Sequence, residues 1–295
     1  MELRVLRYFL AVAREENITR AAEQLHVTQP TLSRQIADLE AELGVKLFTR
    51  GNHNIVLTED GMLMKRRAQE ILLLADRTKR DFLCKEELAG TITIGSGEFL
   101  STRILTDSMA AFRKRYPLVR YEVYSGNADN IRENVECGFL DMGLILEPID
   151  IRRYDFIPMP VKEQSGILVR EDSPLAGKEY VTPDDLAELP LITAISNIAQ
   201  SNIGRWFGGR LADVNVIAKG NLLYNEALLA QSGIGVVLAI RLDCSYAGLR
   251  FVPFMPALET TTAIIWKKEQ ILSSAASAFI DFTKKYVKGI SHDTI

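Results

Sequence analysis

The run from Thr19 to Ile36, TRAAEQLHVTQPTLSRQI, constrains the fold of this chain more than any other stretch. It contains two short amphipathic segments joined by a tight turn. Ala21 and Ala22 stand where the two segments must touch, since steeply crossing helices approach closely only where side chains are small. Pro30 falls in the first turn of the second segment, where a missing N–H costs little. The pattern predicts a helix-turn-helix whose second helix enters the major groove of DNA.

The second helix is predicted to have one apolar face and one polar face. The apolar face repeats at spacings of four, three and four residues and consists of Leu32, Ile36, Leu39 and Leu43. On the polar side, Gln can pair with adenine, Arg with guanine, and Ser or Thr with bases or phosphate oxygens. The DNA-binding residues predicted from this helix and its surroundings are Arg20, Thr28, Gln29, Thr31, Ser33, Arg34, Gln35 and Arg50. The alternative is the solvated face of an ordinary helical hairpin.

The flanking segments favour DNA binding over that alternative. Apolar residues at helical spacing predict a supporting helix over about residues 2–14. Downstream, the short apolar runs 47–50 and 55–58 surround a Gly/Asn turn and predict a small β-hairpin. A hairpin after such a helix is a wing, and Arg50 lies beside its tip in position for a phosphate. The segment is therefore predicted to be a winged helix-turn-helix.

The first third of the chain resembles the DNA-binding domain of the LysR-type transcriptional regulators. The match is long and dense, whereas the remainder follows the family plan more loosely. The residues that carry it are Ala21-Ala22, Gln29-Pro30, Leu32-Ser33, Leu39-Glu40, Leu43-Gly44, Leu47-Phe48-Thr49-Arg50 and Leu57-Thr58. The resemblance implies a ligand-responsive regulator with double-stranded DNA, a small-molecule effector and RNA polymerase as partners. It also implies assembly as a homodimer or homotetramer.

Composition agrees with an ordinary globular protein of two or three domains. The chain has 295 residues, of which 47% are hydrophobic and 25% charged. No run of eighteen apolar residues predicts a membrane span, and the charged, helical N-terminus is unlike a signal peptide, so a cytoplasmic protein is expected. The net charge of −3 offers no basic tail. Affinity for DNA must therefore come from local placement of arginines, multiplied by dimerisation.

A connecting helix is predicted from Thr58 to about Lys85. Its apolar stripe follows the four-three spacing of a helix that pairs with another helix, and consists of Met64, Ala68, Ile71, Ala75, Thr78 and Phe82. A dimer-forming linker is favoured, and the family also has one. The alternative is a helix packed on its own domain. Gly90 is expected to mark the hinge to the next domain.

Beyond Gly90 the pattern changes to strands alternating with helices. The strands are predicted at 91–95, 121–124, 141–146, 166–169, 191–193, 214–217, 235–238 and 261–266, with helices between them and a last helix at 273–286. This order predicts parallel sheets covered by helices in two α/β lobes, similar to type 2 periplasmic solute-binding proteins and to the LysR effector domain. The domains expected are a winged helix-turn-helix at 1–58, a linker helix at 59–89 and an effector domain at 90–295. Lobe 1 would comprise about 90–161 and 266–295, and lobe 2 about 162–265.

An effector is expected between the lobes, where the carboxyl ends of strands meet helix N-termini. Positions matching those that line the family's pocket are Ser96, Glu98, Phe99, Leu100, Ser125, Asn127, Thr193, Ser196, Asn197 and Asn221. Each Ser, Thr or Asn could instead cap a helix or shape a turn. Glu98 is unusual, because many effectors of this family are carboxylates. We expect it either to pair with a cationic or hydroxylated effector or to turn out of the cleft.

Other functions have weaker support. A regulator that senses oxidants through Cys84, Cys137 or Cys244 is an alternative, although no two of these thiols are near each other in sequence. A solute-binding protein would explain the lobes but not the first 58 residues. No nucleophile elbow, P-loop or zinc-ligand spacing occurs, so no enzyme activity, no metal and no cofactor are expected.

Overall fold

The protein is described by a computed structural model over residues 1–50, 55–83, 88–150, 152–195, 197–209 and 214–293. The chain divides into two compact units, Met1–Leu83 and Cys84–Ile295. Within the described residues, no helix is both long enough and apolar enough to cross a membrane.

The N-terminal unit contains the predicted helices and hairpin. In chain order its elements are α1 (Leu3–Glu15), α2 (Ile18–Gln24), α3 (Gln29–Leu43), β1 (Phe48–Arg50), β2 (Ile55–Leu57) and α4 (Glu59–Leu83). The Asn17 side chain caps α2 by accepting hydrogen bonds from the backbone N–H groups of Thr19 and Arg20. Thr28 caps α3 by accepting from the N–H of Thr31. The two strands pair antiparallel, as a wing requires.

The core of this unit lies where α1, α2 and α3 meet. Phe9, Ala21 and Leu32 are fully buried there, so the small residues stand at the close contacts that the sequence predicts. One member of the predicted apolar face of α3 was wrong. Leu43, the last residue of α3, is 40% exposed.

Part of the apolar stripe of α4 follows the alternative of a helix packed on its own domain. Met64 and Ala68 are buried in the core of their own unit, together with Leu72, which the predicted stripe did not include. The first half of the helix therefore packs on its own domain, because the α-helical repeat places 64, 68 and 72 on one face. Phe82 and Lys85 lie outside what the structure describes at the side-chain level. The apolar side chains that α4 leaves exposed are Met62, Leu63, Leu73 and Leu74.

The first lobe of the second unit has the predicted βαβαβ order. It comprises β3 (Gly90–Ser96), α5 (Thr102–Arg115), β4 (Val119–Ser125), α6 (Ala128–Glu136) and β5 (Met142–Leu146). Strand β3 lies between β4 and β5 and is parallel to both. The C-terminal helix α10 (Ser274–Asp293) returns to this lobe, where Phe279 packs edge-on against Phe112 of α5.

One long strand, β6 (Tyr154–Arg170), belongs to both lobes. Its first part pairs with β11 (Glu259–Lys267), which also pairs with β5. Its last residues pair with β9 (Val236–Ile240) and β10 (Leu249–Pro253). The prediction of a strand at only 166–169 was wrong, because two prolines, at 158 and 160, interrupt the strand signal of the first part.

The second lobe adds β7 (Leu191–Ala194) and β8 (Val216–Gly220) to the far edge of the sheet. Helices α8 (Asn197–Trp206) and α9 (Leu223–Gln231) follow β7 and β8, and a short 3₁₀ turn (Pro174–Gly177) and α7 (Pro183–Leu186) precede β7. The strand order is β4-β3-β5-β11-β6-β9-β7-β8, with β10 also on β6. The sheet is mixed, not purely parallel, because β6 and β11 run against their neighbours.

Candidate DNA-binding surface and effector cleft

The outer face of α3 is a polar surface that is free of acidic side chains until Asp38. Gln29, Thr31 and Arg34 are exposed there, and Ser33 and Gln35 are half-buried at its edges. The Arg34 side chain is 83% exposed, and its ion-pair partner among the described residues, Asp38, lies 3.9 Å away. An arginine held this loosely is available for a guanine or a phosphate.

Three of the predicted DNA-binding residues also have structural tasks. The hydroxyls of Thr28 and Thr31 are hydrogen-bonded to each other at 2.8 Å, which shapes the start of α3. The guanidinium of Arg20 donates to the Glu15 carbonyl at 2.7 Å and links α2 to the end of α1. The backbone of Arg50 ends β1, whereas its side chain and residues 51–54 of the wing tip lie outside the described part of the structure.

A buried glutamate fixes the wing to α3. Glu40 accepts hydrogen bonds from the N–H groups of Leu47 at 2.9 Å and Phe48 at 3.2 Å. It also forms an ion pair with Lys46 at 2.6 Å. Burial alone would raise the pKa of this carboxyl, but the hydrogen bonds and the Lys46 charge outweigh burial and lower it. Because β1 of the wing begins at these amides, the position of the wing depends on Glu40.

A cavity of about 120 Å³ lies between the two lobes of the second unit. It is bordered by the loop after β3, the start of α6, the second half of β6, the middle of α8 and the start of α9. Most of its lining is apolar. The apolar side chains are Phe99, Ala128, Leu146, Ala194, Ile203, Leu223, Leu238, Ala239, Ile240, Phe254 and Leu258.

The structure brings some of the predicted effector-binding residues to this cavity. Those that line it are Glu98, Phe99, Asn127 and Asn221. Ser196 lies outside the described residues, and so does the side chain of Asn197.

The other four predicted residues are placed elsewhere. The Ser96 hydroxyl is turned back to the Gly97 carbonyl at 2.7 Å, and Ser125 is exposed at the end of the edge strand β4. Leu100 contributes its N–H to Glu163 at 2.8 Å, and Thr193 is buried in β7. Parallel strands do bring their carboxyl ends to one edge, but only some of the side chains at such an edge point inward.

Glu98 reaches from the first lobe to the second. Its carboxylate accepts a hydrogen bond from the N–H of Leu223, the first residue of α9. The residue before it, Leu222, makes no side-chain cap, so Glu98 supplies the acceptor that this helix end lacks. Glu98 therefore does not turn out of the cleft, and the expectation that it pairs with a cationic or hydroxylated effector stays a prediction.

The cleft contains a second carboxylate that the sequence analysis missed. Glu226 is 3% exposed and lines the cavity from the first turn of α9. Burial, followed by the negative charge of Glu98, raises the pKa of Glu226 to about 7. A signal for it existed, because Glu226 is an acid on the same helix face as Leu223, Ala227 and Ala230, all of which are buried. The other polar lining residues that were missed are Ser165, Asn202 and Thr260.

The cysteines that the structure describes are unpaired. Cys137 and Cys244 are exposed free thiols, and Cys84 lies outside the described part. In the described part of the chain, no three or more His, Cys, Asp and Glu side chains are grouped so that they could hold a metal ion.

Two family models match this chain. The model described as "Bacterial regulatory helix-turn-helix protein, lysR family" matches residues 3–62, and that described as "LysR substrate binding domain" matches residues 85–288. The chain is 31% identical over 241 residues to the Hca operon transcriptional activator HcaR of Escherichia coli, covering 81% of each protein. It is 30% identical over 198 residues to a probable RuBisCO transcriptional regulator of Phaeodactylum tricornutum, covering 66% of this chain and 64% of that protein.

Solved structures have the same fold. Full-length CbnR in complex with its target DNA has a TM-score of 0.75 at 20% identity, covering 97% of this chain and all of that one. Full-length BenM has a TM-score of 0.55 at 24% identity, covering all of this chain and 98% of that one.

Proposed function

This chain belongs to the LysR family of bacterial transcriptional regulators, and we propose that it reads its operator with the outer face of α3 and responds to a small effector in the cleft between its lobes. The observation that carries the proposal is the polar, exposed face of α3 next to a paired wing. We assign base contacts to Gln29, Ser33 and Arg34, and phosphate contacts to Arg20 and Arg50.

Dimerisation through α4 is part of this proposal. Leu63, Leu73 and Leu74 are each about half exposed on α4, and exposed apolar side chains gain stability when a second helix covers them. Pairing of two copies would place two recognition helices on successive major grooves, about 34 Å apart. Further pairing of the effector units would give a homotetramer.

Control by the effector follows from the two-lobed design. A ligand in the cavity contacts both lobes, so it favours the degree of closure at which its contacts are best. A change of closure in an oligomer would alter the spacing or bend of the bound DNA and the access of RNA polymerase. The relatives' names include an operon activator, and we propose the same class of output for this chain.

The direct test of DNA binding is selection of duplexes from a random pool by the full-length protein. We expect enrichment of one interrupted palindrome, since a symmetric dimer presents α3 twice. Binding to that duplex should weaken steeply with salt, as phosphate contacts release counterions. A protein that is folded and dimeric by sedimentation but enriches no sequence would contradict the proposed function.

A further inference from the structure

We propose that the cleft takes a small organic cation, a primary amine or an amidine on an apolar body, held by the carboxylates of Glu226 and Glu98. The inference rests on the proposed function, because it names the chemical class of effector for that same cleft. It goes beyond the family assignment, which leaves the charge of the effector open.

Glu226 is a buried acid without a partner. It is 97% removed from solvent, and no described residue donates a hydrogen bond to its carboxyl. The carboxyl lies against Gly220 of β8, where a Cβ atom would come within 2.5 Å of its Oε1. Burying an unpaired carboxyl costs free energy, so its presence at a cavity wall calls for a donor from a ligand.

The cavity is also lined by a polar side chain of β11. The hydroxyl of Thr260 on β11 is buried and has no hydrogen-bond partner among the described residues. A ligand ammonium has three donors, and it could serve a carboxylate together with a neighbouring hydroxyl oxygen.

The charges around the cavity favour the binding of a cation over the binding of an anion. The described lining residues include two carboxylates, Glu98 and Glu226, and no Lys, Arg or His. The nearby titratable hydroxyl of Tyr246 has its pKa raised by burial first, then by Cys244 and by these two carboxylates, so it stays neutral.

Two helix N-termini near the cleft, those of α5 and α9, could attract an anion but already receive carboxylates. Glu163 is fully buried and accepts from the N–H groups of Leu100 and Ser101 at the start of α5. Glu98 accepts a hydrogen bond at the start of α9. An incoming carboxylate would meet these negative charges, whereas an ammonium would be attracted by them.

The volume and lining of the cavity determine the size and the apolar character of the uncharged part of the ligand. A volume of about 120 Å³ is near that of the ~150 Å³ cavity that holds a benzene ring. The rings of Phe99 and Phe254 and the side chains of Leu238 and Ile203 give it apolar walls. A single ring or a short branched alkyl group with one cationic substituent fits this description.

The ionisation of Glu226 should make the affinity of the cleft for a cation depend on pH. Its pKa of about 7 means that a proton competes with the cation below neutrality. The apparent affinity for a cation should therefore fall about tenfold between pH 8 and pH 6, because only the ionised carboxylate pairs with it.

The experiment is calorimetric titration of the full-length protein with three probes of one shape and different charge, namely benzylamine, benzyl alcohol and benzoate. We expect benzylamine to bind most tightly and to lose at least tenfold in affinity in Glu226→Gln, along with its pH dependence. Glu98→Gln, the second variant, should weaken benzylamine binding severalfold. Glu179→Gln, at an exposed site of the same unit, should leave it unchanged.

Three outcomes would overturn the proposal. One is benzoate or benzyl alcohol binding at least as tightly as benzylamine, and another is benzylamine binding that Glu226→Gln leaves intact. The third is that none of the three probes binds. If benzoate binds in the cleft and changes affinity for the selected duplex, the cation assignment fails while the effector function stands. Failure to select any duplex bears on the proposed function alone.

Discussion

Replacing Glu226 by glutamine should stabilise the second unit at alkaline pH. The buried acid has a pKa of about 7 in the folded protein against an ordinary value of 4.5. The folded state therefore holds the proton more tightly than the unfolded state. The contribution of this carboxyl to the free energy of unfolding is fully present below pH 4.5 and is lost as pH rises through 7. At about 1.4 kcal/mol per pKa unit, the full loss is roughly 3 kcal/mol by pH 8.

The assay is urea unfolding of the full-length protein between pH 5 and pH 8, followed by tryptophan fluorescence. Both tryptophans, Trp206 and Trp266, belong to the second unit, so the signal reports that unit alone. We expect the free energy of unfolding of the native sequence to fall across this range more than that of Glu226→Gln. The two proteins should agree near pH 5 and differ by about 2–3 kcal/mol at pH 8.

Glu179→Gln provides the matched control, since it removes the same charge from an exposed position. It should follow the pH dependence of the native protein. Parallel pH profiles for the native protein and Glu226→Gln would refute the reasoning, and so would a Glu226→Gln protein that is less stable at pH 8. Either result would mean that Glu226 has a partner when it is ionised.

Three further predictions concern the N-terminal unit and are measured by denaturant unfolding with far-UV circular dichroism. Glu40→Ala should cost about 2–3 kcal/mol, because it leaves the amides of Leu47 and Phe48 without their acceptor; an unchanged midpoint would contradict this. Gly61→Ala should cost about 1–3 kcal/mol, because its Cβ would stand 2.1 Å from the Leu47 carbonyl oxygen; tolerance would show that α4 can shift freely. Asn17→Ala should cost about 1 kcal/mol through loss of the α2 cap, and Asn17→Asp should retain most of that stability.

The elements of the N-terminal unit were predictable because their signals are local. Capping by Thr28, the proline in the first turn of α3 and the buried alanines of α2 each act within a few residues. The partner of an apolar stripe is not local. Met64 and Ala68 have the spacing of a dimer helix, yet they meet α1 of the same chain, and only tertiary structure distinguishes the two outcomes.

The cleft was predictable in place but not in detail. Alternating strands and helices locate the edge of the sheet where the cavity lies, and they led to Glu98 and Asn127, which line it. Long-range contacts decide the rest. Glu163 lies on a strand that prolines disguise, and its role depends on amides 62 and 63 residues away. Glu226 looks like an ordinary helix residue until β8 and Glu98 are placed around it.

The central claim, that α3 reads DNA bases, is tested most directly with Arg34→Ala on the selected duplex and its single-base-pair variants. We predict a loss of about 1–3 kcal/mol of binding free energy on the selected sequence, together with loss of discrimination at one base pair in each half-site. Arg250→Ala, which removes an exposed arginine from the second unit, should leave both affinity and preference unchanged. An Arg34→Ala protein that binds with the native affinity and the native preference at every position would contradict the account.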